Sequence, residues 1–295
     1  MNRRSEQQMM ELILDTARRD DRIRAVWMNG SRANPGAPRD RWQDFDIVYA
    51  VREYQSFLAS PEWVDCFGPR IIMQTRSDQE EEGADFSDWY IYLMQFADGN
   101  RIDLSLVPLE RAEAHFLSDR MRVLLLDKDG LLPAVPPSTD ADYLPQKPSR
   151  QLFHNCCNEF WWVSTYVVKG IWRRELPYAQ NLYHGAVREA FDQMACWKIG
   201  YDYGFSVNPG KCGKYFERYL PPEDWALLKE TYGAGDYDAL LRCLLTMGEL
   251  FRRWGTELAN AFGYDYPSRE DRLVTAYLCC GGDPERMEQE EKADV

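Results

Sequence analysis

The stretch Gln43-Asp44-Phe45-Asp46-Ile47-Val48-Tyr49 alternates polar with apolar residues and then becomes fully apolar. This alternation predicts a β-strand, and side chains two positions apart on a strand project from the same face. Asp44 and Asp46 are therefore expected to point the same way. Neighbouring carboxylates raise each other's pKa unless a cation lies between them, and hard oxygen ligands of this kind suit Mg²⁺. The stretch thus predicts a magnesium-binding pair on a strand.

A turn suited to phosphate binding precedes this pair. Residues 23–28 are mostly apolar and predict a short strand, after which Asn29-Gly30-Ser31 forms a tight turn. Gly30 allows close approach of the backbone to a ligand, and Ser31 can cap a following helix or donate a hydrogen bond to a phosphate oxygen. The spacer between Ser31 and Asp44 contains prolines and a glycine, so we expect a loop there.

A second carboxylate-bearing strand is predicted further along the chain. Residues 89–97 and 101–107 are strand-like and are joined by Asp98-Gly99-Asn100, a strong hairpin signal. Asp103 lies between apolar neighbours in the second strand, so it projects from the opposite face. A carboxylate inside a strand is unusual and needs a partner.

Together, the Gly-Ser turn, the spacer, Asp-x-Asp on one strand and a single aspartate on a later strand resemble the fingerprint of the nucleotidyltransferase superfamily. Longer stretches narrow the likeness: they resemble the bacterial aminoglycoside 6-adenylyltransferases, which act on streptomycin. The resemblance extends from about residue 6 to residue 266. It is carried by Gly30-Ser31-Arg32-Ala33-Asn34, Gln43-Asp44-Phe45-Asp46-Ile47, Ile102-Asp103-Leu104, Cys156-Cys157-Asn158-Glu159-Phe160-Trp161, Tyr166-Val167-Val168-Lys169-Gly170 and Phe216-Glu217-Arg218-Tyr219.

The resemblance implies an α+β fold, in which an N-terminal polymerase-beta-like nucleotidyltransferase domain with a mixed sheet precedes an all-α helical bundle. It also implies a reaction in which an acceptor hydroxyl attacks the α-phosphorus of Mg-ATP and releases pyrophosphate. ATP is then the co-substrate, and two Mg²⁺ ions hold the attacking and leaving oxygens.

Site roles follow from the same resemblance. Asp44, Asp46 and Asp103 are the expected catalytic and metal-binding residues. We assign Asp44 and Asp46 to the nucleotide-bound Mg²⁺, and Asp103 to a second metal ion or to polarising the attacking hydroxyl. The expected nucleotide-binding turn is Gly30-Ser31-Arg32.

The general base is less simple to place. The resemblance puts a carboxylate near the start of a helix beginning around Tyr178, where this chain has Asn181. Because an amide cannot accept a proton, three alternatives remain open. Either Asp103 or another carboxylate such as Glu189 is the base, or the acceptor differs from that of the family, or the activity is low.

The acceptor-binding set is expected to comprise Asn181 with Glu159 and Trp162, which the resemblance places toward the cleft. Trp162 belongs to an aromatic cluster at helical spacing, and such aromatic residues more often form core.

Two lysines are candidates for contact with the triphosphate. The loop Asn208-Pro209-Gly210-Lys211-Cys212-Gly213-Lys214 runs into a predicted helix and resembles the family. It lacks the spacing of a P-loop. Lys211 or Lys214 contacts phosphate, or the loop is a helix-initiating turn whose lysines are solvated; the sequence leaves both possibilities open.

Proline and polar residues between positions 127 and 150 predict a linker. Before it, strands mix with a helix over residues 8–19; after it, apolar residues recur at helical spacing over residues 152–170, 178–200, 222–232 and 237–262. The predicted organisation is a nucleotidyltransferase domain (1–132), a linker (133–150), a helical substrate-binding domain (151–282) and an acidic tail (283–295).

The formal charge of −13 argues against a nucleic-acid partner, because phosphate contacts require clustered lysine and arginine. It favours a cationic partner such as an aminoglycoside, although many cytosolic proteins are acidic for solubility alone.

No apolar run is long enough to span a bilayer and no signal core is present, so we expect a cytoplasmic protein without a membrane partner, acting as a monomer. The rival readings are an adenylyltransferase with another small-molecule or protein hydroxyl acceptor, and a catalytically inactive nucleotide-binding relative.

Overall fold

The computed structural model describes residues 2–81, 83–233 and 235–281, and the chain divides into two compact units, Met1–Asp142 and Tyr143–Val295. The first unit contains, in chain order, α1 (Glu6–Arg19), β1 (Ile23–Asn29), α2 (Gly30–Ala33), β2 (Phe45–Val51), α3 (Tyr54–Ala59), β3 (Arg70–Thr75), β4 (Tyr90–Phe96), β5 (Arg101–Pro108), α4 (Leu109–Leu117) and β6 (Arg122–Asp127).

The six strands of the first unit form one mixed sheet in the order β3-β4-β5-β2-β1-β6. β2 and β5 pair in parallel at the centre, whereas every other pair of neighbours is antiparallel. β4 and β5 form the predicted hairpin, and Gly99 has the positive φ of 82° that a tight hairpin turn requires. The parallel central pair is the feature that sets the position of the site.

Both faces of the sheet are covered by apolar residues. On one face, Met9 and Ile13 of α1 are fully buried against a cluster that includes Phe45, Ile47 and Ile102. On the other face, a smaller cluster contains Val48, Val107 and Phe116. Ser5 caps α1 with a reciprocal capping box, so the helix begins where its first buried residue can reach the sheet.

The second unit is helical. It contains α5 (Arg150–Trp172), α6 (Leu176–Leu182), α7 (Arg188–Asp202), α8 (Phe216–Tyr219), α9 (Pro222–Glu230), α10 (Tyr237–Phe262) and α11 (Ser268–Cys280). α6 and α7 are joined by one π-helical segment, Tyr183–Val187, in which Gly185 departs from helical geometry. The core includes a stacked pair, Phe160 and Phe251, whose ring centroids are 3.9 Å apart. Apolar burial along α5 and α10 therefore holds this unit together.

The α+β class is confirmed, with a mixed sheet followed by a helical region. The sequence predicted Asp44 on the strand, but β2 begins at Phe45, so Asp44 precedes it. α3, β3, α4, β6 and α11 were not predicted. The predicted acidic tail, 283–295, lies outside the described residues, and the domain boundaries given above stay predictions. None of the described helices combines the length and apolarity needed to cross a bilayer.

Candidate active site

Two of the three expected carboxylates meet across the central strand pair. Asp46 of β2 lies directly opposite Asp103 of β5 in the parallel register. The apolar residues on either side of each aspartate face the α1 side of the sheet, so both carboxylates project from the opposite face. The backbone ladder between two central strands therefore fixes their spacing, without help from a flexible loop.

Gly30 closes over Asp46 from the end of β1. Its φ is +71°, and a β-carbon built on it would lie 2.0 Å from Oδ2 and 2.7 Å from Cγ of Asp46. Only glycine fits this position, because any side chain would be strained and would collide with the carboxylate. The next residue, Ser31, is half-buried, and its carbonyl accepts a hydrogen bond from Gln43 at 3.3 Å. The sequence-predicted turn and the carboxylate strand are thus in contact.

Arg101 is a site residue that the sequence reasoning missed. Its Nε and Nη2 donate to Oδ1 and Oδ2 of Asp103 at 2.7 and 2.8 Å, and its Nε lies 3.6 Å from Oδ2 of Asp44. These hydrogen bonds to Asp103 raise the pKa of Arg101, and the charges of Asp103, Asp44 and Asp46 act in the same direction. The signal was present in the sequence as Arg-x-Asp within one strand, a spacing that puts both side chains on one face.

The electrostatics of the cluster disfavour negative charge. Burial, together with the nearby Asp103 and Asp44 carboxylates, raises the pKa of Asp46 to about 6. Burial also raises the pKa of Asp44, partly offset by Arg101. Carboxylates in this condition are stabilised by a cation.

The donor chemistry therefore fits Mg²⁺, which prefers carboxylate oxygens. Asp44 and Asp46 are the residues best able to hold it, because Arg101 already donates to both oxygens of Asp103. Within the described ranges, no set of three or more Asp, Glu, His or Cys side chains is arranged closely enough to share one metal ion.

Arg32 was expected in the nucleotide-binding turn, and the structure places it on the other side of the sheet. Its guanidinium lies 3.9 Å above the Phe45 ring, donates to the carbonyls of Gln43 and Asp44, and lies 2.9 Å from Glu6. It is only 4% exposed. These contacts hold the backbone leading into β2, so Arg32 acts on the site through Asp44 and contact with a nucleotide stays a prediction.

The second unit carries the remaining predicted residues. Lys211 and Lys214 are exposed in a loop with positive φ at Gly210, Cys212 and Gly213.

Four further residues are exposed on helices: Glu159 and Trp162 on α5, Asn181 on α6 and Glu189 on α7. Trp162 is 57% exposed and donates from its indole to Tyr166 at 2.9 Å, whereas its neighbour Trp161 is core. The exposed Trp162 is available for ligand contact, and its role stays a prediction.

A glycine-serine turn pressed against a carboxylate on the central strands of a mixed sheet is the arrangement of a nucleotidyltransferase. The sequence profile of the streptomycin adenylyltransferase family matches residues 3–280, and the chain belongs to that family. This confirms the resemblance and the enzyme class expected from the sequence.

Two curated relatives are aminoglycoside 6-adenylyltransferases. The protein from Bacillus subtilis (strain 168) is 38% identical over 272 residues, covering 92% of this chain and 96% of the relative. The protein from Campylobacter jejuni is 39% identical over 270 residues, covering 92% and 93%. A solved structure, of an aminoglycoside 6-adenyltransferase from Bacillus subtilis, is 36% identical, covers 94% of this chain and 98% of its own, and superposes with a TM-score of 0.46.

Proposed function

We propose that this protein transfers AMP from Mg-ATP to a hydroxyl of an aminoglycoside, and that position 6 of streptomycin receives it. Such a modification would confer resistance to the antibiotic. The proposal is supported by family membership and, above all, by one observation: Asp46 and Asp103 stand in register on parallel strands beneath Gly30.

The reaction is an in-line displacement. The acceptor hydroxyl oxygen forms a bond to the α-phosphorus, the bond from that phosphorus to the oxygen bridging the β-phosphate breaks, pyrophosphate leaves, and the hydroxyl proton passes to a base. Bound Mg²⁺ would neutralise phosphate charge as it shifts toward the leaving oxygen. Asp44 and Asp46 would hold this ion.

Residues of the chain supply binding and positioning. The Gly30-Ser31 turn would bind the phosphate oxygens, and the missing side chain at Gly30 lets this turn pack directly against the Asp46 carboxylate that would hold the metal ion. Asp103, which lies opposite Asp46 in the strand register, would polarise the acceptor hydroxyl, and Asp103 or another carboxylate such as Glu189 would take its proton. A basic acceptor would be attracted by the net charge of −13, and the exposed Glu159 and Trp162 are the side chains of α5 that we propose contact it.

The first test is a transfer assay. The purified chain is incubated with Mg-ATP and a panel of aminoglycosides, and products are examined by mass spectrometry for the addition of AMP and for the hydroxyl that carries it. We expect streptomycin to be modified at position 6. Labelling of a different molecule would support the reading with another acceptor. Calorimetric binding of Mg-ATP without pyrophosphate release for any acceptor would support the inactive relative.

Asp46→Asn tests the site itself. Loss of a metal-binding carboxylate should lower turnover by at least about a hundredfold. Burial and neighbouring carboxylates disfavour the charge of Asp46, so its removal should leave the urea midpoint unchanged or raise it. Asp15→Asn on α1 is the matched control, because its side chain is 49% exposed and pairs with Arg18. Wild-type turnover in Asp46→Asn would refute the assignment.

A further inference from the structure

Arg101 is the arginine that contacts two of the three carboxylates, Asp44 and Asp103. It is the first residue of β5 and lies two positions before Asp103, so both side chains leave the same face of the strand. Its planar guanidinium makes two parallel hydrogen bonds to Asp103, the geometry in which arginine binds carboxylate most strongly. Its Nε also lies 3.6 Å from Asp44. The guanidinium thus lies between Asp44 and Asp103.

A divalent ion on Asp103 would meet this same guanidinium. Each oxygen of Asp103 already accepts a hydrogen bond from Arg101, and a second positive charge within a few ångströms of the first is repelled by it. Asp46 lacks the first obstacle, because among the described side chains Arg101 makes no ion pair with it within 4 Å, and the guanidinium acts on it only from a greater distance. Asp44 is contacted by Arg101 more weakly than Asp103, at 3.6 Å against 2.7 and 2.8 Å, so the metal-binding oxygens that Arg101 obstructs least are those of Asp46 and then Asp44.

We propose that Arg101 is the built-in counter-ion of this cluster: it competes with a divalent ion for Asp103, so the nucleotide-free protein holds a single strong metal site on Asp44 and Asp46. The proposal rests on the proposed function, since it concerns the metal site of that reaction. Arg101 is a positioning residue, which keeps the Asp103 carboxylate directed across the sheet face. Asp103 is then free of metal and available to the acceptor hydroxyl.

The test measures metal binding directly, with Mn²⁺ alone as the probe and no nucleotide. The number and affinity of bound ions are determined by electron paramagnetic resonance titration and by calorimetry on the full chain. The wild-type chain should bind one Mn²⁺ tightly. Arg101→Met should bind Mn²⁺ roughly tenfold more tightly or take up a second ion, because the competing charge is gone. Arg101→Lys keeps the charge and should stay close to wild type.

The direction of the effect separates this role from a structural one. A residue needed only for folding would lower metal affinity when replaced, whereas a competitor raises it. Arg24→Met is the matched control: Arg24 is also paired through two nitrogens with one carboxylate, Asp129, but lies at the opposite end of β1 from Gly30. It should leave Mn²⁺ binding unchanged.

Three results would overturn the proposal. One is tight binding of two Mn²⁺ ions by the wild-type chain without nucleotide. This result does not depend on whether the Arg101 variants fold. Another is Mn²⁺ binding by Arg101→Met with the wild-type number and affinity. The last is absence of Mn²⁺ binding in every variant. Failure of the transfer assay alone would leave tighter Mn²⁺ binding by Arg101→Met intact, so the two proposals fail separately.

Discussion

Replacing Gly30 with alanine should damage the site through one contact whose size the structure gives. The φ of +71° already costs an alanine about 1–2 kcal/mol. The added β-carbon would lie 2.0 Å from Oδ2 of Asp46, whereas real contacts start near 3.0 Å, so the carboxylate must move by about 1 Å. Overpacking of this kind adds about 1–3 kcal/mol. The total loss of unfolding free energy should be about 2–5 kcal/mol.

Turnover should fall further than stability suggests, because a shift of about 1 Å in a reacting group costs on the order of a hundredfold in rate. Gly130→Ala is the matched control: its φ is +67°, and an added β-carbon meets nothing within 4 Å. It should lose only about 1–2 kcal/mol, from the same backbone strain, and keep its turnover.

The assay pairs urea unfolding with the AMP-transfer rate for wild type and both variants. The difference between the two alanine variants isolates the contact with Asp46, since the backbone strain is common to both. Equal unfolding free energies for the two variants, together with wild-type turnover in Gly30→Ala, would refute the reasoning.

Two other predictions concern charged side chains. Burial would raise the pKa of Asp98, but hydrogen bonds from Arg4 and Asn100 outweigh it and hold the pKa well below its usual range. Because the folded pKa is depressed, the stabilisation by Asp98 is fully present above the unfolded pKa of about 4 and is lost progressively as the pH falls from there through the folded pKa. Asp98→Asn should therefore cost about 1.5–3 kcal/mol at pH 7 and clearly less at pH 3 in urea unfolding, and an equal cost at both pH values would contradict this. Replacing Lys211 and Lys214 together with methionine should raise the KM for ATP roughly tenfold if they contact phosphate, with Lys229→Met on α9 as control. An unchanged KM would identify them as solvated loop residues.

Local patterns in the sequence predicted the elements that carry the site. The strand around Asp46 and the hairpin before Asp103 are present because alternation and a glycine turn are signals within a few residues of one another. β3 and β6 were missed because they are the edge strands of the sheet and their pairing is set elsewhere: Ile71 and Ile72 of β3 are both exposed, which gives no alternation to read.

The partner of Asp103 could have been found from sequence. An aspartate inside a strand indicated that a partner exists, and we assigned a second metal ion or the attacking hydroxyl, whereas the structure shows Arg101 two residues earlier. Sequence could not have shown that Asp46 and Asp103 stand opposite each other, because parallel register depends on long-range pairing. Nor could it have shown that Arg32 turns to the face of Phe45.

The parallel pairing of β2 with β5 affects the order in which parts of the enzyme fold. Its two aspartates belong to strands far apart along the chain, and parallel neighbours cannot be joined by a short hairpin. Closing such a long loop is slow, whereas helices of the second unit form from contacts between near neighbours. During refolding, catalytic competence should accordingly return after most of the helical circular dichroism signal has recovered, and partly folded chains should be inert.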